Sequence, residues 1–168
     1  GVSLGDANNG VAVGYAGTIV FTTNDDSVSP TVTGVDTTES DGSFGEGETI
    51  DITITFDEAV TVTGTPQLTL ETGGSDAVVD YSSGSGSTVL TFVYTVADGH
   101  ASSDLDYVAT SSLALNGGTI KDAQNNAAVL TLASPAASNS LGANAALVVE
   151  TTNPAVTGVD TTETDGSF

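Results

Sequence analysis

Thr37, Glu39, Asp41, Gly42, Ser43 and Glu48 stand at positions 1, 3, 5, 6, 7 and 12 of a twelve-residue span. An EF-hand-like spacing wants oxygen ligands at these positions, and at position 6 the glycine of a sharp turn. Hard oxygen donors so placed suit Ca²⁺. Position 1 is Thr rather than Asp, and the flanks have the alternation of strands rather than of helices. The span is therefore an acidic, glycine-rich turn offering Asp36, Glu39, Asp41, Glu46 and Glu48 as candidate calcium ligands.

A second group of carboxylates lies toward the two ends. Asp25, Asp26, Asp36 and Asp41 crowd the upstream boundary, and Glu150, Asp160, Glu163 and Asp165 the downstream one. Carboxylates gathered at a hinge repel one another unless a cation joins them, and a bound Ca²⁺ would stiffen the linker. Without a cation the same residues make a solvated, self-repelling linker that keeps the chain soluble.

Other reactive side chains are few. His100 is the only imidazole, with Asp98, Ser102 and Ser103 close by in sequence. Neighbours on one polar loop do not hold the fixed register of a Ser-His-Asp relay, so a solvated loop histidine is expected and catalysis is not. Carboxylate pairs are available in number, but no pocket-lining aromatics accompany them. Lys121 raises the idea of an autocatalytic isopeptide crosslink, which needs a buried lysine beside a buried acid. Ile120 takes the inward position of that strand, so Lys121 is expected to face solvent.

Composition narrows the function classes further. Lys121 is the one basic residue against 22 carboxylates, a formal charge of −21. Such a surface repels nucleic acid and anionic lipid and attracts divalent cations. Cys, Met and Trp are absent, so disulfide frameworks and zinc–thiolate sites are excluded for this chain. Apolar runs are only a few residues long, so neither a secretory leader nor a spanning helix is expected in it. A hydrophobic content of 38% is enough for a packed core, and with few aromatics that core must be mostly Val, Leu and Ile.

The elements that must position these residues are short and β-like, with no 3.6-residue periodicity. Val11, Val13 and Tyr15, then Ile19 and Phe21, alternate around Ala16-Gly17, as in a hairpin. Val32 and Val35 mark a first strand of the main body. Ile50, Ile52, Ile54 and Phe56 alternate strictly with Asp51, Thr53 and Thr55, which puts one face inward. Beyond Asp57-Glu58, Val60 and Val62, then Leu68 and Leu70, continue the pattern. A glycine- and serine-rich run over 82–87 separates Val79 and Tyr81 from Leu90, Phe92, Tyr94 and Val96. Leu105 and Tyr107, Leu113 and Leu115, Ile120, Leu130 and Leu132, and Leu147 and Val149 supply the remaining strands. Seven to nine strands in about 120 residues suit an all-β, immunoglobulin-like antiparallel β-sandwich better than a barrel.

The chain also repeats itself. Pro30 to Phe44 and Pro154 to Phe168 are the same fifteen-residue segment with two substitutions, Thr31 against Ala155 and Ser40 against Thr164, at an offset of 124 residues. The expected organisation is a hairpin, linker or end of a preceding domain over 1–29, one complete unit over 30–153, and the start of the next unit over 154–168.

Residues 1–24, from Gly1-Val-Ser-Leu-Gly-Asp to Phe21-Thr-Thr-Asn24, resemble one blade repeat of the photosystem-assembly-factor and sialidase-type β-propellers. They depart from it where a blade continues into Asp-Gly-Gly and Trp. The run from Gly47 to Gly73, with Gly86 to Val96, Asp104 to Tyr107 and Leu113 to Asp122, resembles the long tandem repeats of bacterial, often marine or cyanobacterial, cell-surface proteins. That resemblance covers essentially all of 30–153. It implies an extracellular, Ig-like structural domain of a surface fibre or adhesin stalk, with identical repeats or subunits as its partners. It also implies calcium-stiffened junctions. Asp122-Ala-Gln-Asn-Asn126 is similar to a turn of bacterial Ig-like repeats whose Asp can bind calcium, although an Asx-turn satisfying its own backbone explains the same residues. Two other functions are compatible with the sequence. One is a Ca²⁺-dependent module binding a surface glycan, for which Phe44, Tyr81 and Tyr107 are the candidate aromatics. The other is a filament subunit polymerised by strand exchange through 1–29 or 154–168.

Overall fold

The computed structural model describes residues 10–13, 19–22 and 27–151. Twelve strands are found there: β1 (Gly10–Val13), β2 (Ile19–Thr22), β3 (Val32–Thr37), β4 (Gly42–Phe44), β5 (Thr49–Thr63), β6 (Gln67–Leu70), β7 (Ala77–Ser83), β8 (Ser87–Thr95), β9 (Ala101–Ser102), β10 (Leu113–Ala114), β11 (Thr119–Lys121) and β12 (Leu147–Glu150). One helical turn, α1 (Leu141–Asn144), precedes β12. The protein is all-β, and no helix among the described residues is long and apolar enough to cross a membrane.

β1 and β2 pair antiparallel from Gly10↔Thr22 to Val13↔Ile19, as their alternation predicts. Tyr15 and the Ala16-Gly17 turn lie outside the described residues.

Strand β5 organises the main body. Its apolar residues recur every second position, so Ile50, Ile52 and Ile54 are fully buried and Phe56 nearly so. On one side they face Tyr94, Phe92 and Leu90 of β8, paired directly as Ile50↔Tyr94, Ile52↔Phe92 and Ile54↔Leu90. On the other side β5 changes partner. β3 pairs with it from Val32↔Phe56 to Thr37↔Ile52, and β11 takes over from Lys121↔Thr61 to Thr119↔Thr63. The Asp57-Glu58 pair does not end the strand. It sits in a register shift between Thr55 and Val60, where the ladder to β8 is interrupted and the strand runs on.

The seven-stranded sheet, ordered β10-β6-β7-β8-β5-β11 with β3 also on β5, is antiparallel throughout. A three-stranded sheet, β4-β12-β9, is mixed: β12 runs parallel to β4 and antiparallel to β9. Purely antiparallel pairing therefore does not hold for the whole domain. The parallel pair arises because β4 and β12 are far apart in sequence and are not the two arms of one hairpin. Leu147 and Val149 of β12 join Val35, Ile50, Ile54, Leu68, Leu90, Phe92 and Leu105 in one core shared by both sheets.

The 82–87 run is a pinned hairpin turn. Gly86 N–H donates to Val60 O at 2.7 Å, Ser85 Oγ accepts from Val62 N–H at 2.9 Å, and Tyr81 Oη accepts from Ser85 N–H at 2.8 Å. Gly84 has φ +108, and a Cβ there would collide with the Val89 carbonyl oxygen, so only glycine fits.

Two pairs of alternating residues turn inward, Leu130 only half-buried, without forming the expected strands. Leu105 and Tyr107 sit in a loop whose one ladder contact is the bridge Leu70↔Tyr107, and Leu130 and Leu132 lie in irregular chain. Single backbone bonds, among them Leu105 N–H to Leu147 O at 2.8 Å and Leu132 N–H to Thr110 O at 2.9 Å, hold these loops together with side-chain hydrogen bonds. Tyr107 Oη donates to Ala133 O at 2.8 Å, and Asp106 accepts from Tyr107 N–H at 2.9 Å and Ala136 N–H at 2.9 Å. α1 was not expected in the Ala133–Gly142 loop. Ser140 caps it, accepting from Ala143 N–H at 3.3 Å.

Candidate functional site

The proposed calcium span is divided among structural tasks. Thr37 ends β3, where its hydroxyl donates to Asp51 O at 2.8 Å and accepts from Glu39 N–H at 3.1 Å. Asp36 Oδ1 accepts from Thr37 N–H at 2.8 Å. Asp41 Oδ1 accepts from Ala146 N–H at 2.9 Å, and Gly42 N–H donates to Ala146 O at 3.1 Å, which starts the β4–β12 pair. Glu48 reaches back to Gly45 N–H at 2.6 Å and closes the turn in which Glu46 is exposed. Gly42 and Ser43 are in a strand, so the span is not one continuous ligand loop. Glu39 is exposed, and Glu150 is an exposed residue of β12 paired with Ala101. Asp160, with Asp25, Asp26, Glu163 and Asp165, lies outside the described residues. Among the described residues no three acidic or histidine side chains converge as a metal cluster.

Asp122 is buried and closes an Asx-turn. Oδ1 accepts from Gln124 N–H and Asn126 N–H, each at 2.8 Å, and Oδ2 accepts from Asn126 Nδ2 at 2.6 Å. Burial alone would push this carboxyl up, but the hydrogen bonds from Asn126, Gln124 and Asn125 outweigh it and hold the group below its ordinary value of 3.8. Asn126 Nδ2 also donates to Val28 O at 3.1 Å, which ties this turn to the incoming chain.

His100 is half-buried and stacks on Tyr94, with ring centroids 5.8 Å apart. Ala97 N–H donates to Nδ1 at 3.3 Å, which makes that nitrogen the acceptor, so the Tyr94 hydroxyl at 2.8 Å is also a donor to it. The ring borders an open groove of about 500 Å³ lined by Asp76, Asp80, Val78 and Val93. Lys121 is half-buried rather than fully solvated, beside the inward Ile120. Of the candidate aromatics, Tyr107 is buried, while Phe44 and Tyr81 are half-buried, and Tyr81 packs edge-on against Phe92.

What the structure does assemble is an entry pole and an exit pole. At the entry, Asp57 Oδ1 accepts from Thr31 N–H at 2.7 Å and Oδ2 from the Thr31 hydroxyl at 2.6 Å, while Asp57 N–H donates to Thr31 O at 3.0 Å. Val129 N–H donates to Pro30 O at 2.8 Å. At the exit, the Thr151 hydroxyl donates to His100 O at 2.9 Å and accepts from Gly99 N–H at 3.1 Å. Val96 N–H donates to Glu48 O at 2.9 Å, which places this loop beside the start of β5. Thr49 and Asp57 are eight steps apart on β5, so the poles are separated by roughly 26 Å of strand.

Between the poles, residues 30–44 lie in a continuous seat. Val35 is fully buried, its N–H donates to Asn139 O at 2.9 Å, and its carbonyl accepts from Asn144 Nδ2 at 2.8 Å. Thr33 and Thr37 bond the β5 carbonyls of Thr55 and Asp51. Sequence reasoning missed Thr31, Asp57, Asn139, Asn144 and Thr151. The one signal that could have marked the seat is the repeated segment itself, since it supplies every residue that occupies it.

No family model, no curated protein and no solved structure matches this chain.

Proposed function

We propose that the chain is a non-enzymatic structural segment of an extracellular fibre or adhesin stalk, in which an Ig-like β-sandwich of 124 residues recurs along the array. The observation that carries this reading is the placement of entry and exit at opposite ends of β5, together with the repeat. Two residues, Thr152 and Asn153, separate Thr151 from the second copy of the entry segment. A following unit would therefore begin at the exit pole of the preceding one, and length would add with each unit as in other quasi-one-dimensional arrays. The −21 charge suits such exposure, because neighbouring units repel and do not collapse onto one another.

Calcium enters this reading at the junction beside Glu150, while Asp160, Glu163 and Asp165 take the positions of Asp36, Glu39 and Asp41, at and beyond the far end of β3 in the next unit. The carboxylates of Asp36, Asp41, Glu48 and Asp122 are already bonded within the domain. A hard cation between units would relieve the repulsion and stiffen the link.

The test is small-angle scattering from tandem proteins carrying two, three and four copies of residues 30–153. The maximum dimension is expected to grow linearly, by roughly 35 Å or more per copy from the strand span plus the linker. Compact particles whose dimension barely increases with copy number would defeat the reading.

A further inference from the structure

Of the two positions at which the second copy differs, the seat that holds residues 30–44 uses a side chain only at Thr31, whose hydroxyl bonds Asp57. Val35, Thr33, Thr37, Thr38, Asp41 and Gly42 make the seat's contacts, and their counterparts Val159, Thr157, Thr161, Thr162, Asp165 and Gly166 are identical. Ser40, which becomes Thr164, is exposed. At Ala155 the Thr31 hydroxyl bond to Asp57 Oδ2 is lost, but the backbone N–H that binds Oδ1 remains. We infer that residues 154–168 of one chain can take the β3–β4 seat of a second copy of the chain, head to tail, when that copy's own residues 30–44 are displaced.

Geometry makes this an exchange between molecules. Three steps of chain from Thr151 to Pro154 reach about 11 Å at most, whereas the segment's own entry pole is roughly 26 Å away along β5. The segment therefore cannot fold back into its own domain. Seated in a second molecule, it places that molecule's entry pole at the first one's exit pole, the same arrangement as in a covalent tandem array. The contact is heterologous and does not close on itself, so it propagates as an open chain. Backbone ladders on β5 and β12 supply affinity and the buried valine supplies register. The native segment keeps two advantages, its tether and the Thr31 hydroxyl, so exchange requires its displacement.

The inference deepens the stalk reading by naming a contact through which two copies of this chain dock head to tail, and its test is independent of that reading. Val35→Asp disables the first segment in the full chain, Val159→Asp the second, and the double variant both. In sedimentation, wild type and V159D are expected at 16.6 kDa and V35D at concentration-dependent multiples of that mass, while the double variant does not assemble. V35D that stays at monomer mass, or assembly that persists in the double variant, overturns the inference. If V35D only unfolds, the double variant is titrated with a fifteen-residue peptide of sequence 154–168. Saturable recovery of the folded circular-dichroism signal, absent with the peptide carrying Val159→Asp, is expected, and a peptide without effect overturns the inference. Tandem proteins that fail to lengthen would instead sink the stalk reading and leave this result standing.

Discussion

Asp57 grips Thr31 with both carboxylate oxygens, one on the backbone N–H and one on the hydroxyl, and so fixes the chain where it enters the domain. The Thr31 hydroxyl, then its N–H, are the main reasons the Asp57 carboxyl lies below its ordinary value of 3.8. A carboxyl depressed on folding contributes stability above its unfolded value, which is lost as pH falls through the folded value. Thr31→Ala is therefore expected to lower the melting temperature at neutral pH and to move the Asp57 titration, followed by carboxyl NMR, back toward 3.8. The difference in melting temperature between wild type and variant should shrink in acid. A difference that is constant from pH 7 to pH 2 would contradict this role.

Alkali should act through two tyrosines. Burial pushes Tyr94 up to about 12, and burial followed by the negative charge of Asp106 does the same for Tyr107. A folded value raised above the unfolded one, near 10, means that stability is complete below pH 10 and is lost as pH rises toward 12. Denaturant midpoints should fall across that window. They should fall less steeply in Tyr94→Phe and Tyr107→Phe, although each variant starts lower by about 1 kcal/mol for its lost hydrogen bond.

The β5–β8 pair is expected to dominate the core. Ile54→Ala removes a fully buried side chain facing Leu90, in a rigid ladder that cannot collapse around the gap, and should cost about 2–5 kcal/mol in denaturant unfolding. Val78→Ala, at an exposed position of β7, should change stability by less than about 0.5 kcal/mol. Equal effects at the two sites would place the core elsewhere.

Calcium should act between units rather than within one. A tandem two-unit protein is expected to melt higher in millimolar Ca²⁺ than with excess chelator at matched ionic strength, and Mg²⁺ or NaCl should give much less. The chain of residues 30–151 alone should show a smaller difference. An equal rise in both would move the calcium sites into the domain, and no rise in either would leave the charge as a solubility device.

β5 and β8 are the most legible strands because their side chains alternate over a long run, and the shorter alternating pairs of β1, β2, β6, β7 and β12 mark strands as well. Alternation reports burial, however, and does not by itself report a ladder. Leu105, Tyr107, Leu130 and Leu132 are inward or half-inward, yet loops bonded through Asp106 and Tyr107 hold them. Asp57-Glu58 interrupts the alternation with two acids, and Thr31, distant in sequence, ties Asp57 to the start of β3. The candidate carboxylates divide in the same way. The Asx-turn of Asp122 could be read from sequence because its partners are within four residues. The use of Asp41 by Ala146, 105 residues away, could not. α1 is too short to show a helical period.

The most direct test of the account is the distance between the two poles of a single unit. The chain has no cysteine, so Ser27→Cys and Glu150→Cys place two spin labels uniquely, at exposed positions beside entry and exit. Pulsed electron–electron measurements are expected to give a narrow distribution centred at roughly 25 Å or more, the span of β5 between Thr49 and Asp57. A distribution centred below about 15 Å would put both ends at one pole and contradict an array that lengthens unit by unit.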